Sequence, residues 1–199
     1  MSKVILDYVS RFIQLDTGEE SYFLSVLKHR RFLKRQFLVQ AGDVCKYETY
    51  VVKGCLRAYF VDPNGTTHII QFAIEDWWIS DMASLTFGTP AIFNIDALED
   101  TDVIQIERSQ MAELFERIPK FNTMFRQMLT RAFVAHQQRI IDNLCMPARE
   151  RYLTFISRYR DIEQRVPQNQ IASYLGMTPE FLSQIRKGMR DSSEDLKLP

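Results

Sequence analysis

The sequence predicts an α+β fold: helices, a β sandwich or barrel, a long helix and a C-terminal helix-turn-helix. Three observations carry this reading. Short runs rich in Val, Ile, Tyr and Phe recur between about residues 31 and 107, cut by Gly, Pro, Asn and Asp. An apolar stripe at three- and four-residue steps then runs from Phe121 to Leu144. Finally, Gln168 to Lys187 sets two short apolar-faced segments on either side of Gly176. With 199 residues and 46% hydrophobic content, the chain can bury one or two good cores but not three.

Residues 3 to 27 read as helical. Val4, Ile5, Tyr8, Val9, Phe12 and Ile13 share a face, and Ser21 begins a second short helix. The β region follows. Phe37-Leu38-Val39 precedes the turn Ala41-Gly42-Asp43, and Tyr50-Val51-Val52 precedes Lys53-Gly54. Leu56 to Val61 meets Asp62-Pro63-Asn64-Gly65, a strong hairpin turn, and Thr67 to Ile74 returns as its partner. Ile92 to Ala97 and Val103 to Ile106 complete the strands. Such spacing suggests a sandwich or barrel.

From Gln110 to Asn143 the pattern is helical, with a break at Pro119. The stripe after Pro119 is too wide for one partner, so one edge is expected on the β domain and another on a second subunit. Phe125, Leu129, Ala132 and His136 are the candidate dimer residues. The competing reading is a helix lying wholly on its own β domain. Met146-Pro147 interrupts the pattern and marks a domain boundary. Arg149 to Arg160 is then an amphipathic helix.

The last motif is the most specific. Ile171, Leu175, Met177, Leu182 and Ile185 supply a small shared core, and Ala172 is small where two helices cross. Gly176 stands at the bend, where a positive φ is cheap only without a Cβ. Thr178 can cap the next helix, Pro179 fits its first turn, and Glu180 suits its positive end. Ser183, Gln184, Arg186 and Lys187 are left exposed, able to bond base edges or neutralise phosphates. Gln168, at the start of the first helix, and Thr178 and Glu180, at the start of the second, join them as candidate DNA contacts. The bland alternative is a packing corner. Double-stranded DNA is the expected partner, since the second helix of such a pair commonly lies in the major groove.

Charge agrees by region rather than in total. Net charge is zero, but residues 1–145 hold 16 basic against 18 acidic residues, while 146–190 hold 8 against 4. Cys45, Cys55 and Cys145 have no zinc spacing, read as buried inert thiols, and with no signal peptide imply a cytoplasmic setting. No run approaches a membrane span. His29, His68 and His136 are isolated, which weighs against a cupin-like metal enzyme; no catalytic residue, metal or cofactor is expected.

This order of elements resembles the Crp/Fnr family of bacterial transcription regulators along nearly the whole chain. The resemblance is carried by Gly42, by Gly54 with Leu56-Arg57-Ala58-Tyr59, by Asp62 to Gly65, and above all by Arg165-Val166-Pro167 through Lys187. The last block looks like the Bacteroidetes branch. The resemblance implies a jelly-roll-like double-stranded β-roll over 1–118, a dimerising helix over 119–146 and a DNA-binding domain over 147–190. It also implies a homodimer and contact with RNA polymerase.

Departures narrow the expectation. Cyclic-nucleotide-binding relatives carry a Gly-Glu pair and, further on, an Arg that pairs with the cyclic phosphate. Here no arginine occurs between Arg57 and Arg108, so cyclic AMP is not expected. The corresponding region offers Trp78, Ser80, Asp81 and Met82 as an effector pocket, with Asp81 standing in for the Glu. Trp77 and Trp78 either fill the roll or wall a flat effector. The roll thus either senses an unidentified small molecule or is a structural platform. The iron–sulfur cysteine pattern is absent. Where relatives reading TGTGA carry arginines, this chain has Pro179 and Gln184, so its target should differ. The end from Asp191 to Pro199 reads as a mobile tail, too short for a β-hairpin wing. A scaffold module with a vestigial reading head is the remaining alternative.

Overall fold

The computed structural model describes residues 2–194, with side chains to 189. The N-terminal helices are α1 (Ser2–Val9) and α2 (Thr17–Ser25). α2 starts at Thr17 rather than Ser21 because Asp16 and Glu19 form a reciprocal cap: Glu19 N donates to Asp16 Oδ1 and Asp16 N to Glu19 Oε2, both at 2.9 Å.

Eight strands follow. They are β1 (Leu27–Phe32), β2 (Phe37–Val39), β3 (Tyr47–Lys53), β4 (Leu56–Val61), β5 (Thr67–Ala73), β6 (Trp78–Ile79), β7 (Asn94–Ala97) and β8 (Thr101–Glu107). One sheet runs β1-β8-β3-β6 and the other β2-β7-β4-β5, with antiparallel pairing in both. β1 begins at Leu27, where the sequence reading still had helix. Its Lys28-His29-Arg30-Arg31 segment is exposed and lacks the apolar period that marks a strand. A short helix, α3 (Met82–Phe87), lies between β6 and β7 and was not anticipated.

The pleat of β3 and β8 divides the core. Tyr50 pairs with Ile104 and Val51 with Val103, so successive residues face opposite sides. Tyr50, Ile104 and Ile106 pack under α1 and α2, together with Leu114, Phe121, Met124 and Phe125. Val51 and Val103 meet Leu56, Ala58, Ile79, Ile95 and Ala97 between the two sheets. At Gly54, φ is +116°, and an added Cβ would lie 2.6 Å from the Thr101 Cα. The backbone crossing there requires glycine.

The chain continues as α4 (Arg108–Arg117), α5 (Lys120–Cys145), α6 (Ala148–Arg158), α7 (Arg160–Arg165), α8 (Gln168–Tyr174) and α9 (Pro179–Glu194). The break at Pro119 separates α4 from α5. α7, absent from the sequence reading, splits off after Tyr159. α9 runs on to Glu194, so residues 191–194 of the expected mobile tail are helical. Residues 195–199 of that tail lie outside the described residues. A third core, one more than the composition led us to expect, joins Ile69 and Phe72 of the roll to Tyr152, Phe155, Ile162, Ile171, Ala172, Leu175 and Leu182.

Candidate nucleic-acid interface and effector cavity

The bend between α8 and α9 is built as the motif requires. Gly176 has φ +65°; its N–H donates to the Ser173 carbonyl at 3.1 Å, and Met177 N–H donates to Ala172 at 3.0 Å. These two bonds close the end of α8 with a left-handed glycine. Thr178 Oγ1 accepts from Phe181 N–H at 3.2 Å, and Pro179 opens α9. Thr178 is therefore spent on the cap. Ser183, Gln184 and Lys187 are exposed along α9, and Gln168 and Glu180 are exposed at the starts of α8 and α9.

Arg186 departs from expectation. It is half-buried and pairs with Glu163 at 3.4 Å, and Glu163 also accepts from the Tyr152 hydroxyl at 3.2 Å. Arg186 therefore ties α9 to α6 and α7 rather than standing free for phosphate. Sequence spacing gave its helix face but not the acid on α7.

The C-terminal helices are pinned to the roll. Ser173 Oγ donates to the Thr67 carbonyl at 2.9 Å and accepts from Ile69 N–H at 3.0 Å. Those are the outer groups of β5, an edge strand whose unpaired ladder is thereby covered. Arg165 forks onto Glu75 at 2.7 and 3.1 Å and also bonds Glu99.

The long helix shows two faces. Phe121, Met124 and Phe125 are buried on the roll. Phe125 is 7% exposed and packs against Trp78 and Phe115, with ring centroids at 5.5 and 5.1 Å. This corrects its assignment to a dimer seam, because the same side chain cannot also face a partner. Leu129, Ala132 and His136 are exposed, and so are Phe133, Ile140 and Leu144, the last at 78%.

A cavity of about 630 Å³ lies between the roll, α5 and the reading domain. Trp78, Ser80 and Met82 line it; Asp81 does not. Asp81 is buried, and its carboxylate accepts from Ser84 N–H at 3.0 Å, Ile92 N–H at 2.9 Å and Phe93 N–H at 3.1 Å. It organises the loop and caps α3, which corrects its reading as a ligand-facing acid. Glu48, missed in the sequence, does line the cavity, as do Asp76 and Asp142. Ser80 Oγ donates to Glu48 at 2.6 Å, and burial pushes the Glu48 carboxyl up to about 7 despite that bond. Trp78 packs on Tyr8 and Tyr50, filling the space beside the roll. Cys45 and Cys55 are buried, and burial pushes the Cys55 thiol up to about 12; Cys145 is exposed, against expectation. Among the described residues, no group of His, Cys, Asp or Glu could hold a metal, and no helix is long and apolar enough to cross a membrane.

Residues 29–118 match the cyclic nucleotide-binding domain family. The transcriptional activator Anr of Pseudomonas aeruginosa is 26% identical over 174 residues, covering 80% of this chain and 70% of the relative. The transcriptional activator FnrA of Stutzerimonas stutzeri is 25% identical over the same shares. Over most of its length the chain is similar to regulators of the Crp/Fnr type. Its fold is that of FixK2 from Bradyrhizobium japonicum, with a TM-score of 0.71 at 20% identity over 84% of this chain and 86% of that one. A Crp/Fnr regulator from Eubacterium rectale matches with a TM-score of 0.70 at 16% identity, over 94% and 88%. The chain keeps the two-sheet roll, and its Asp81 carboxylate is turned inward onto its own loop.

Proposed function

We propose that this Crp/Fnr-type transcription regulator works as a homodimer that reads duplex DNA with α9 and is not controlled by cyclic AMP. The observation that carries the DNA reading is the α8–Gly176–α9 bend, with Ser183, Gln184 and Lys187 exposed on one helix. Gln184 can give and accept a bond at adenine, and Lys187 supplies charge to phosphate. The exposed stripe Leu129, Phe133, Ile140 and Leu144 supports dimerisation through α5, since such a surface is rarely left to water. Two reading heads then meet a two-fold site. The roll (1–118), the long-helix segment (119–146) and the reading domain (147–190) act as separate working parts.

The chemistry of the roll argues against a cyclic phosphate. The stretch between Arg57 and Arg108 has no arginine, and the amides of Ser84, Ile92 and Phe93 are already bonded to Asp81. An anion arriving there meets a fixed carboxylate. Selecting fragments from a random DNA pool and titrating them in gel shifts tests the function. A two-fold consensus bound at nanomolar protein is expected; no enrichment would defeat the reading.

A further inference from the structure

The cavity extends into the crevice where the roll, α5 and α6 meet, and this part has its own chemistry. Its walls carry three guanidinium groups, Arg139 from α5 and Arg151 and Arg158 from α6. None of the three pairs with a carboxylate among the described residues. Asp142 is the acid lining this stretch, and its Oδ1 accepts from Gln138 at 2.7 Å. Arg139 donates to the Ile70 carbonyl at 2.5 Å and lies 4.5 Å from the Tyr174 ring. Arg151 Nη1 donates to the Asn143 carbonyl at 3.0 Å, but its Nε is buried with no hydrogen-bond partner. With no carboxylate to neutralise them, the guanidinium groups lining the cavity favour an incoming anion.

Flat rings stand beside these charges. Trp77 and Tyr159 meet edge-on with centroids 5.6 Å apart, and Arg158 lies 5.9 Å from the Tyr159 ring. We propose that this crevice binds a small aromatic oxyanion, its ring against Trp77 and Tyr159 and its charge on Arg151 and Arg158. Trp77 belongs to the roll, Arg139 to α5, and Arg151 and Tyr159 to the reading side. A ligand held by Trp77 on one side and by Tyr159, Arg151 and Arg158 on the other biases how the C-terminal helices sit on the roll, to the extent that it binds one arrangement better. That regulatory consequence rests on the DNA-binding function proposed above; binding in the crevice does not.

The test uses the full chain and two fluorescent probes that differ by one charge, 1-anilinonaphthalene-8-sulfonate and the neutral N-phenyl-1-naphthylamine. The sulfonate should bind one per chain, quench Trp77, and lose affinity roughly ten-fold or more in Arg151→Gln and in Arg158→Gln. The neutral probe should be unaffected by either substitution. Arg158 is exposed, so its variant keeps the test open if Arg151→Gln fails to fold. Displacement of the sulfonate by 2-naphthoate or by 2-naphthyl phosphate supports the site and names the preferred oxyanion. Equal affinity of both probes, or sulfonate binding unchanged in the folded Arg158→Gln, would overturn it. Gel shifts on the same samples report DNA binding separately, so failure of one claim does not pass for failure of the other.

Discussion

Replacing Glu48 by glutamine should change how stability depends on pH, and the structure fixes the sign. Glu48 is 3% exposed, and burial raises its carboxyl from 4.5 to about 7. Between those values the folded chain holds a proton that the unfolded chain releases. Stability from this group therefore falls as pH rises through the window, and the full penalty stands above about 7. The shift corresponds to on the order of 3 kcal/mol. Glutamine is neutral at every pH and retains an acceptor for the Ser80 hydroxyl. Glu48→Gln should therefore be more stable than the parent at about pH 8 by an amount approaching that figure, and the gap should close toward about pH 5. His136 works the other way, since partial desolvation at the cavity wall and then the Arg139 charge lower its pKa and remove stability below its ordinary value. It is present in both proteins and cancels in the difference. Urea unfolding at several pH values and one fixed protein concentration is the assay. A stability difference that stays constant with pH would refute the protonated, buried carboxyl.

Phe133→Asp with Ile140→Asp should give a folded monomer by sedimentation, because a carboxylate in an apolar seam is strongly disfavoured and neither residue supports the roll; an unchanged dimer mass would locate the seam elsewhere. Lys187→Ala should weaken DNA binding evenly across sequences and lower the salt slope by about 1, whereas Gln184→Ala should relax one base position per half-site. Arg186→Ala should lower the unfolding temperature of the reading domain through the lost Glu163 pair, and a change in salt slope alone would count against that role. Cyclic AMP should give flat calorimetry at millimolar ligand, and saturable binding that raises DNA affinity would contradict the proposed function.

What was legible in the sequence tracks how local its cause is. The hairpin turn at Asp62 to Gly65 returns in the structure as Asp62 Oδ1 accepting from Asn64 and Thr66 N–H, each at 2.9 Å. The Gly176 bend and the Thr178 cap are equally short-range, and both were readable. The errors fall where distant residues decide. Nothing near Phe125 in sequence says that Trp78 covers it, and nothing near Arg186 announces Glu163 on another helix. β1 was missed because an edge strand with polar residues on both faces carries no period. Glu48 was passed over because an isolated acid between Tyr47 and Thr49 looks like a solvated strand position; only pairing of β3 on both sides buries it.

Asp81 shows how one residue changes the logic of the roll without changing its fold. A loop rich in free amides is a natural anion site, because each N–H needs an acceptor and backbone donors need no particular side chain. Here the amides of Ser84, Ile92 and Phe93 all converge on one internal carboxylate. Ser84 adds a second anchor, its hydroxyl donating to the Thr89 carbonyl at 2.6 Å and accepting from Cys45 N–H at 2.8 Å. The loop is thus held in place by its own chain, and ordering it requires no outside ligand. Among the described residues, buried donors without a hydrogen bond lie elsewhere, Arg151 Nε and Trp78 Nε1 among them. The loop therefore offers little to an incoming anion, whereas the proposed crevice, lined by Arg139, Arg151 and Arg158, carries guanidinium groups with no carboxylate partner among the described residues.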